Sequence, residues 1–197
     1  MKTNRHINKV AVIGSGIMGS RIACHFANIG VEVLLLDIVP FDLTEEQKQD
    51  RTIRNSIVNN ALKSTLKSKP SPIYSKEFIS RITTGNLEDD LYKIADVDWV
   101  IEVVVERLDI KKQVFEKIEQ FRKEGTLISS NTSGIPIESM LAERSEDFQK
   151  HFCGTHFFNP PRYLKLLEII PTSKTDTKVI DFLMNYGDKF LGKDMVL

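Results

Sequence analysis

Residues 9–20 read KVAVIGSGIMGS: a short apolar run, a glycine-rich turn and the opening of a helical pattern. Gly14, Gly16 and Gly19 fit G-x-G-x-x-G, and each glycine answers a separate steric demand. Gly14 permits a tight turn out of the strand. Gly16 lets the backbone come close to a pyrophosphate, and Gly19 lets the helix pack near the strand. Met18, Ile22 and Phe26 recur at helical spacing, so a helix is predicted over Ile17–Asn28, with Gly30 at its stop. Its first turn would offer free N–H groups and a positive dipole end to a phosphate. VEVLLLD (31–37) reads as a second strand and places Asp37 18 residues after Gly19. A carboxylate there accepts hydrogen bonds from ribose hydroxyls and repels a 2′-phosphate, which predicts NAD rather than NADP. Ser15, Ile17 and Met18 complete the turn and join the glycines and Asp37 as predicted cofactor-binding residues.

Outward from this unit, strands and helices alternate. Ile53, Ile57, Ala61, Leu62 and Leu66 form an apolar stripe that predicts one long helix over Glu45–Lys67, closed by KPSP (69–72). RITTG (81–85) is a short strand; DWVIEVVV (98–105) barely alternates and reads as a buried central strand. Val114, Phe115, Ile118 and Phe121 mark the next helix. TLISSNTSG (126–134) runs from strand into polar loop, and Pro136 is placed to start a helix. FCGTHFF and LKLLEII are strands joined by NPPRY, Val179 to Phe190 mark a last helix, and the closing MVL begins another strand. This order predicts an α/β, doubly wound, mostly parallel sheet with helices on both faces.

Composition sets the outer limits. The 197 residues fit one domain, with 41% hydrophobic and 27% charged residues. Lys+Arg and Asp+Glu both number 27, so no charge excess suggests nucleic acid or a membrane surface as partner. The two cysteines have neither disulfide-framework nor zinc spacing, so no metal site is expected and a reducing, cytoplasmic setting is.

In open parallel sheets, ligands sit beyond the carboxyl ends of the strands. Three further polar groups fall there: Glu106 after the strand at 98–105, Ser130 to Ser133 after TLIS, and His156 with Asn159 at the end of FCGTHFF. A histidine, an asparagine and a glutamate (Glu168) within THFFNPPRYLKLLEII (155–170) are costly among apolar neighbours unless each is partnered.

GSGIMGS, Asp37, IEVVVERLDIKK, SSNTSG and THFFNPPRYLKLLEII together resemble the NAD-binding domain of the L-3-hydroxyacyl-CoA dehydrogenases of fatty-acid β-oxidation. The resemblance runs nearly the whole chain. It is nearest to the long bacterial members that continue into an enoyl-CoA-hydratase-like region. Phosphogluconate-type dehydrogenases share the glycine turn but use a catalytic lysine and lack the histidine segment.

The resemblance implies NAD-dependent oxidation of (S)-3-hydroxyacyl-CoA to 3-oxoacyl-CoA. His156 is then the general base, and Glu168 holds its tautomer and stabilises the imidazolium, as a buried pair. Ser133 lies near the reacting hydroxyl and the nicotinamide. Asn159 contacts the cofactor or orients the substrate, and Glu106 and Lys111 serve the nicotinamide-side ribose. The helix at 45–67 corresponds to an inserted helical hairpin that touches CoA, with Ser56 and Lys63 as substrate residues. Two features depart from the family. Arg21 stands where many members have glycine, free to strengthen the phosphate field, face solvent or crowd the cofactor. Residues 1–197 account for the Rossmann-type NAD(P)-binding domain alone. The family's all-helical C-terminal domain, which closes over substrate and forms its usual homo-oligomer, is expected on the same polypeptide beyond this chain, so these residues alone should turn over weakly or not at all. A different hydroxyacid dehydrogenase and a non-catalytic NAD sensor are the alternatives.

Overall fold

The computed structural model describes residues 5–197. Six strands form a parallel array: β1 (Lys9–Ile13), β2 (Glu32–Asp37), β3 (Ile82–Asn86), β4 (Trp99–Glu102), β5 (Leu127–Ser130) and β6 (Phe152–Phe157). β7 (Leu166–Pro171) pairs antiparallel with β6, and β8 (Asp194–Val196) pairs parallel with β7. The order across the sheet is β3-β2-β1-β4-β5-β6-β7-β8. Strand order reverses between β1 and β4, the position where doubly wound sheets open a crevice for ligand.

The period-2 geometry of strands explains why both faces are covered. In β1, Val10 and Val12 join one core with Ile22 and Phe26 of α1 (Ile17–Asn28) and Tyr186 of α6 (Thr177–Lys189). Ala11 and Ile13 join a second core with Phe115 of α4 (Leu108–Phe121) and Phe148 of α5 (Glu146–Lys150). The fold is therefore a Rossmann-type doubly wound sheet, as the alternation of elements implied.

Three local expectations change. The stripe over 45–67 forms two helices, α2 (Arg51–Arg54) and α3 (Ser56–Leu66), after a 3-10 turn at Gln47–Gln49. The break falls at Asn55, whose buried side chain accepts from Asn86 Nδ2 at 2.7 Å, while Arg54 pairs with Glu88 and Asp89. These tertiary bonds turn the chain more cheaply than a straight helix could reach them. β4 stops at Glu102 rather than running to Val105, because the Val104 amide donates to the Glu102 side chain at 2.7 Å instead of to a neighbouring strand. The helix expected from Pro136 is a single 3-10 turn, Ile137–Met140.

Candidate active site

Three groups of residues collect at the carboxyl edge of the sheet. The first is the glycine turn. Gly14, at φ 100°, packs on the chain just after β4, where a Cβ would come within 2.6 Å of the Val103 carbonyl oxygen. A Cβ on Gly19 would overlap the Gly14 carbonyl. Gly16 differs, since nothing lies within 4 Å of the space a Cβ would take. Two glycines are thus required by the fold, and the third faces an open cradle at the start of α1, as a pyrophosphate seat needs. Ile17 beside it is 68% exposed although apolar. Asp37 reaches back to this turn, where its Oδ2 accepts from the Ser15 amide at 2.6 Å and the Ser15 hydroxyl at 2.5 Å. Both predicted ends of an adenosine diphosphate site are therefore adjacent, and the residues fit a dinucleotide.

The second group joins β4 to β5. Glu102 and Lys111 are a buried ion pair, Oε1 to Nζ 2.8 Å, with side chains 0% and 1% exposed. Glu102 Oε2 also accepts from the Ser130 hydroxyl at 2.5 Å. Lys111 Nζ lies 3.5 Å from Glu106 Oε2. Glu106 Oε1 then gathers the loop after β5, accepting from the Thr132 hydroxyl, the Gly134 amide at 2.8 Å and the Ser133 amide at 3.2 Å. Partial burial pushes the Glu106 carboxyl up, but these donors and Lys111 outweigh it and hold the group below the usual carboxylate range. Ser133 is exposed on the rim. Glu102 escaped the sequence reading; the signal was an acid inside an apolar strand with a lysine nine residues on.

The third group joins β5, β6 and β7. Asn131 Oδ1 accepts from the Phe157 amide at 2.8 Å. His156 stands directly across the ladder from Glu168, so both side chains leave the same face. His156 Nδ1 donates to Glu168 Oε2 at 2.8 Å, which leaves Nε2 as the acceptor nitrogen. The ring lies 4.4 Å from that of Phe158. The pair is not buried as expected: His156 is 21% and Glu168 37% exposed, because β7 lies near the sheet margin. An opening toward the imidazole is what a group that exchanges protons with a substrate requires.

Arg21 neither meets the glycine turn nor points freely to solvent. Its guanidinium donates to Asn159 Oδ1 at 2.7 Å and to Ser68 Oγ at 3.4 Å. It thereby ties α1, which follows the glycine turn, to the loop after His156. Ser56 opens α3 and Lys63 lies exposed near its end. Among the described residues, neither is tied to the His156 group. A large hollow of about 1500 Å³ lies elsewhere, along α6 and the amino ends of β1 and β2, so volume does not mark this site.

Residues 9–197 match the family model described as 3-hydroxyacyl-CoA dehydrogenase, NAD binding domain. A probable 3-hydroxyacyl-CoA dehydrogenase of Bacillus subtilis is 52% identical over 199 residues, covering 98% of this chain and 25% of that protein. Its counterpart in Deinococcus radiodurans is 47% identical over 191 residues, covering 97% and 53%. The crystal structure of 3-hydroxybutyryl-CoA dehydrogenase from Escherichia coli K12 superposes with a TM-score of 0.72 at 29% identity, covering 96% of this chain and 38% of that one. The chain thus spans between a quarter and about half the length of these curated relatives. Among the described residues, no helix is long and apolar enough to cross a membrane.

Proposed function

Because the chain belongs to the 3-hydroxyacyl-CoA dehydrogenase NAD-binding domain family, we propose that the protein of which it forms the cofactor domain oxidises (S)-3-hydroxyacyl-CoA to 3-oxoacyl-CoA in β-oxidation, in the cytoplasm. The observation that carries this reading is the His156–Glu168 pair, held by ladder register on the rim of the glycine turn.

NAD, when bound, supplies the acceptor for the hydride leaving C3. The chain's own residues do the rest. His156 Nε2 takes the proton of the 3-hydroxyl, turning imidazole into imidazolium. Glu168 fixes the tautomer that leaves Nε2 basic, and its charge stabilises the imidazolium as it forms. Gly16 and the start of α1 seat the pyrophosphate, and Asp37 holds the adenosine ribose. Glu106 serves the second ribose, and Lys111, buried behind it, holds that carboxylate rather than the ribose itself. The Ser133 hydroxyl, exposed beside them, binds near the substrate hydroxyl, and Asn159 orients the reacting groups. Ser56 and Lys63 on α3 contact CoA, where lysine pairs with phosphate as a point charge. An all-helical domain on the same polypeptide closes the other side of the cleft and builds a homo-oligomer. Without it, these residues bind NAD but turn over poorly.

Calorimetry of this chain with NAD and NADP, beside a rate assay of the full-length protein on 3-hydroxybutyryl-CoA, tests the reading. Expected are NAD preference and a loss of turnover of about 10³-fold or more in H156Q with NAD affinity retained. Unchanged turnover in H156Q, or faster oxidation of a free hydroxyacid than of its CoA thioester, would overturn it.

A further inference from the structure

Lys193 is the most deeply placed cation that the proposed chemistry leaves unused. It lies just before β8 and is only 3% exposed. Its ammonium donates to the carbonyl oxygens of Pro161 and, at 2.7 Å, Leu164. Both belong to the connection that leads from His156 on β6 to Glu168 on β7. Among the described residues, no carboxylate lies within ion-pair distance of it. Its charge acts on His25 of α1, as does that of Arg162 in the same connection, and Asp194 and Lys165 adjoin it through the backbone pairing. Burial drives His25 down to about 4, with the Lys193 charge next in effect, so His25 adds no positive charge at neutral pH. Desolvation also lowers Lys193 itself, to about 8.

A buried ammonium without a counter-ion is expensive. A fold that needed only volume here would use methionine. The connection shows why a donor is wanted. Pro160 and Pro161 carry no N–H, so this turn has fewer amides with which to close on itself. The amides of Tyr163 and Leu164 converge on the Pro160 carbonyl alone, and Lys193 takes the Pro161 and Leu164 carbonyls. The lysine is itself fixed at both ends. Its amide donates to Gly187 of α6 at 2.9 Å, and the next amide, that of Asp194, donates to Lys165 at 2.9 Å.

Resting on the proposed role of His156, we infer that Lys193 is a positioning residue: it clamps the turn between the two halves of the proton-transfer pair and so sets how firmly Glu168 engages the imidazole. Phe158 and Asn159, which neighbour the imidazole and Arg21, leave β6 into this same turn.

The test reads the imidazole itself. The ring N–H resonances of this chain are recorded by NMR at a fixed pH, with the His156 signal assigned by its loss in H156Q. In K193M, NAD affinity stays within about twofold of wild type, while the His156 Nδ1 proton exchanges with water about threefold faster or more as the carboxylate lets go. In the full-length protein, K193M lowers kcat for 3-hydroxybutyryl-CoA about tenfold with KM for NAD unchanged, and K193R recovers part of it. A His156 Nδ1 proton that exchanges as in wild type in folded K193M overturns the inference. So does collapse of the fold in both K193M and K193Q, which would make Lys193 a general requirement of folding. Failure of wild-type turnover would instead count against the dehydrogenase reading, since the NMR comparison does not depend on which reaction is run.

Discussion

Replacing Lys111 by methionine should destabilise the domain heavily, because it strands a buried carboxylate. The ammonium lies 2.8 Å from Glu102 in a place where both side chains are essentially inaccessible. Removing one partner of such a pair costs about 3–5 kcal/mol, mostly for the charge left behind. Here the Ser130 hydroxyl and the Val104 amide still serve the carboxylate, which limits the loss. K111M should therefore lose about 3 kcal/mol at pH 7, the low end of that range, a fall in Tm of roughly 6–12 °C. Urea unfolding followed by circular dichroism measures this. The double variant E102Q/K111M, with no stranded charge, should recover most of the loss. A deficit below about 1 kcal/mol in K111M, or no recovery in E102Q/K111M, would refute the reasoning.

Two more perturbations separate fold from site. G16A should keep wild-type stability within about 0.5 kcal/mol yet lose NAD affinity in calorimetry, because the added methyl meets only open space in the resting protein. G19A should instead lower Tm by several degrees, since its Cβ collides with the Gly14 carbonyl; equal melting curves for the two variants would defeat this distinction. His25 is 5% exposed, holds the Leu191 carbonyl at 3.2 Å through Nε2 and, among the described residues, has no partner for Nδ1. Its folded pKa near 4 lies below the ordinary 6.5, so between these values the unfolded chain binds more protons and acidification removes stability. The loss is on the order of 3 kcal/mol from pH 6.5 to 4, and H25Q should lack it in urea melts; parallel declines for both proteins would exclude the assignment.

The sequence pointed to the candidate site where local chemistry is loud. A glycine turn between an apolar strand and a helical stripe has few other uses, and an acid 18 residues later completes it. His156 and Glu168 stood out because each is polar in an apolar run. What it could not expose depends on contacts distant along the chain. The break at Asn55 carries neither proline nor glycine, and follows from a bond to Asn86, 31 residues away. Arg21 had three open readings from its helical position, and only the arrival of Asn159, 138 residues on, decides among them. The partial exposure of the His156 pair reflects the marginal place of β7, which strand order alone determines.

The unequal surroundings of the three turn glycines bear on ancestry. Gly14 and Gly19 answer to masonry: any descendant that keeps this strand and helix must keep them. Gly16 answers only to a visitor. A lineage that abandoned the dinucleotide would be free to fill that position first, with its scaffold undisturbed. A side chain at 16 between intact neighbours would then be the fossil trace of a lost cofactor, legible long before the architecture changed.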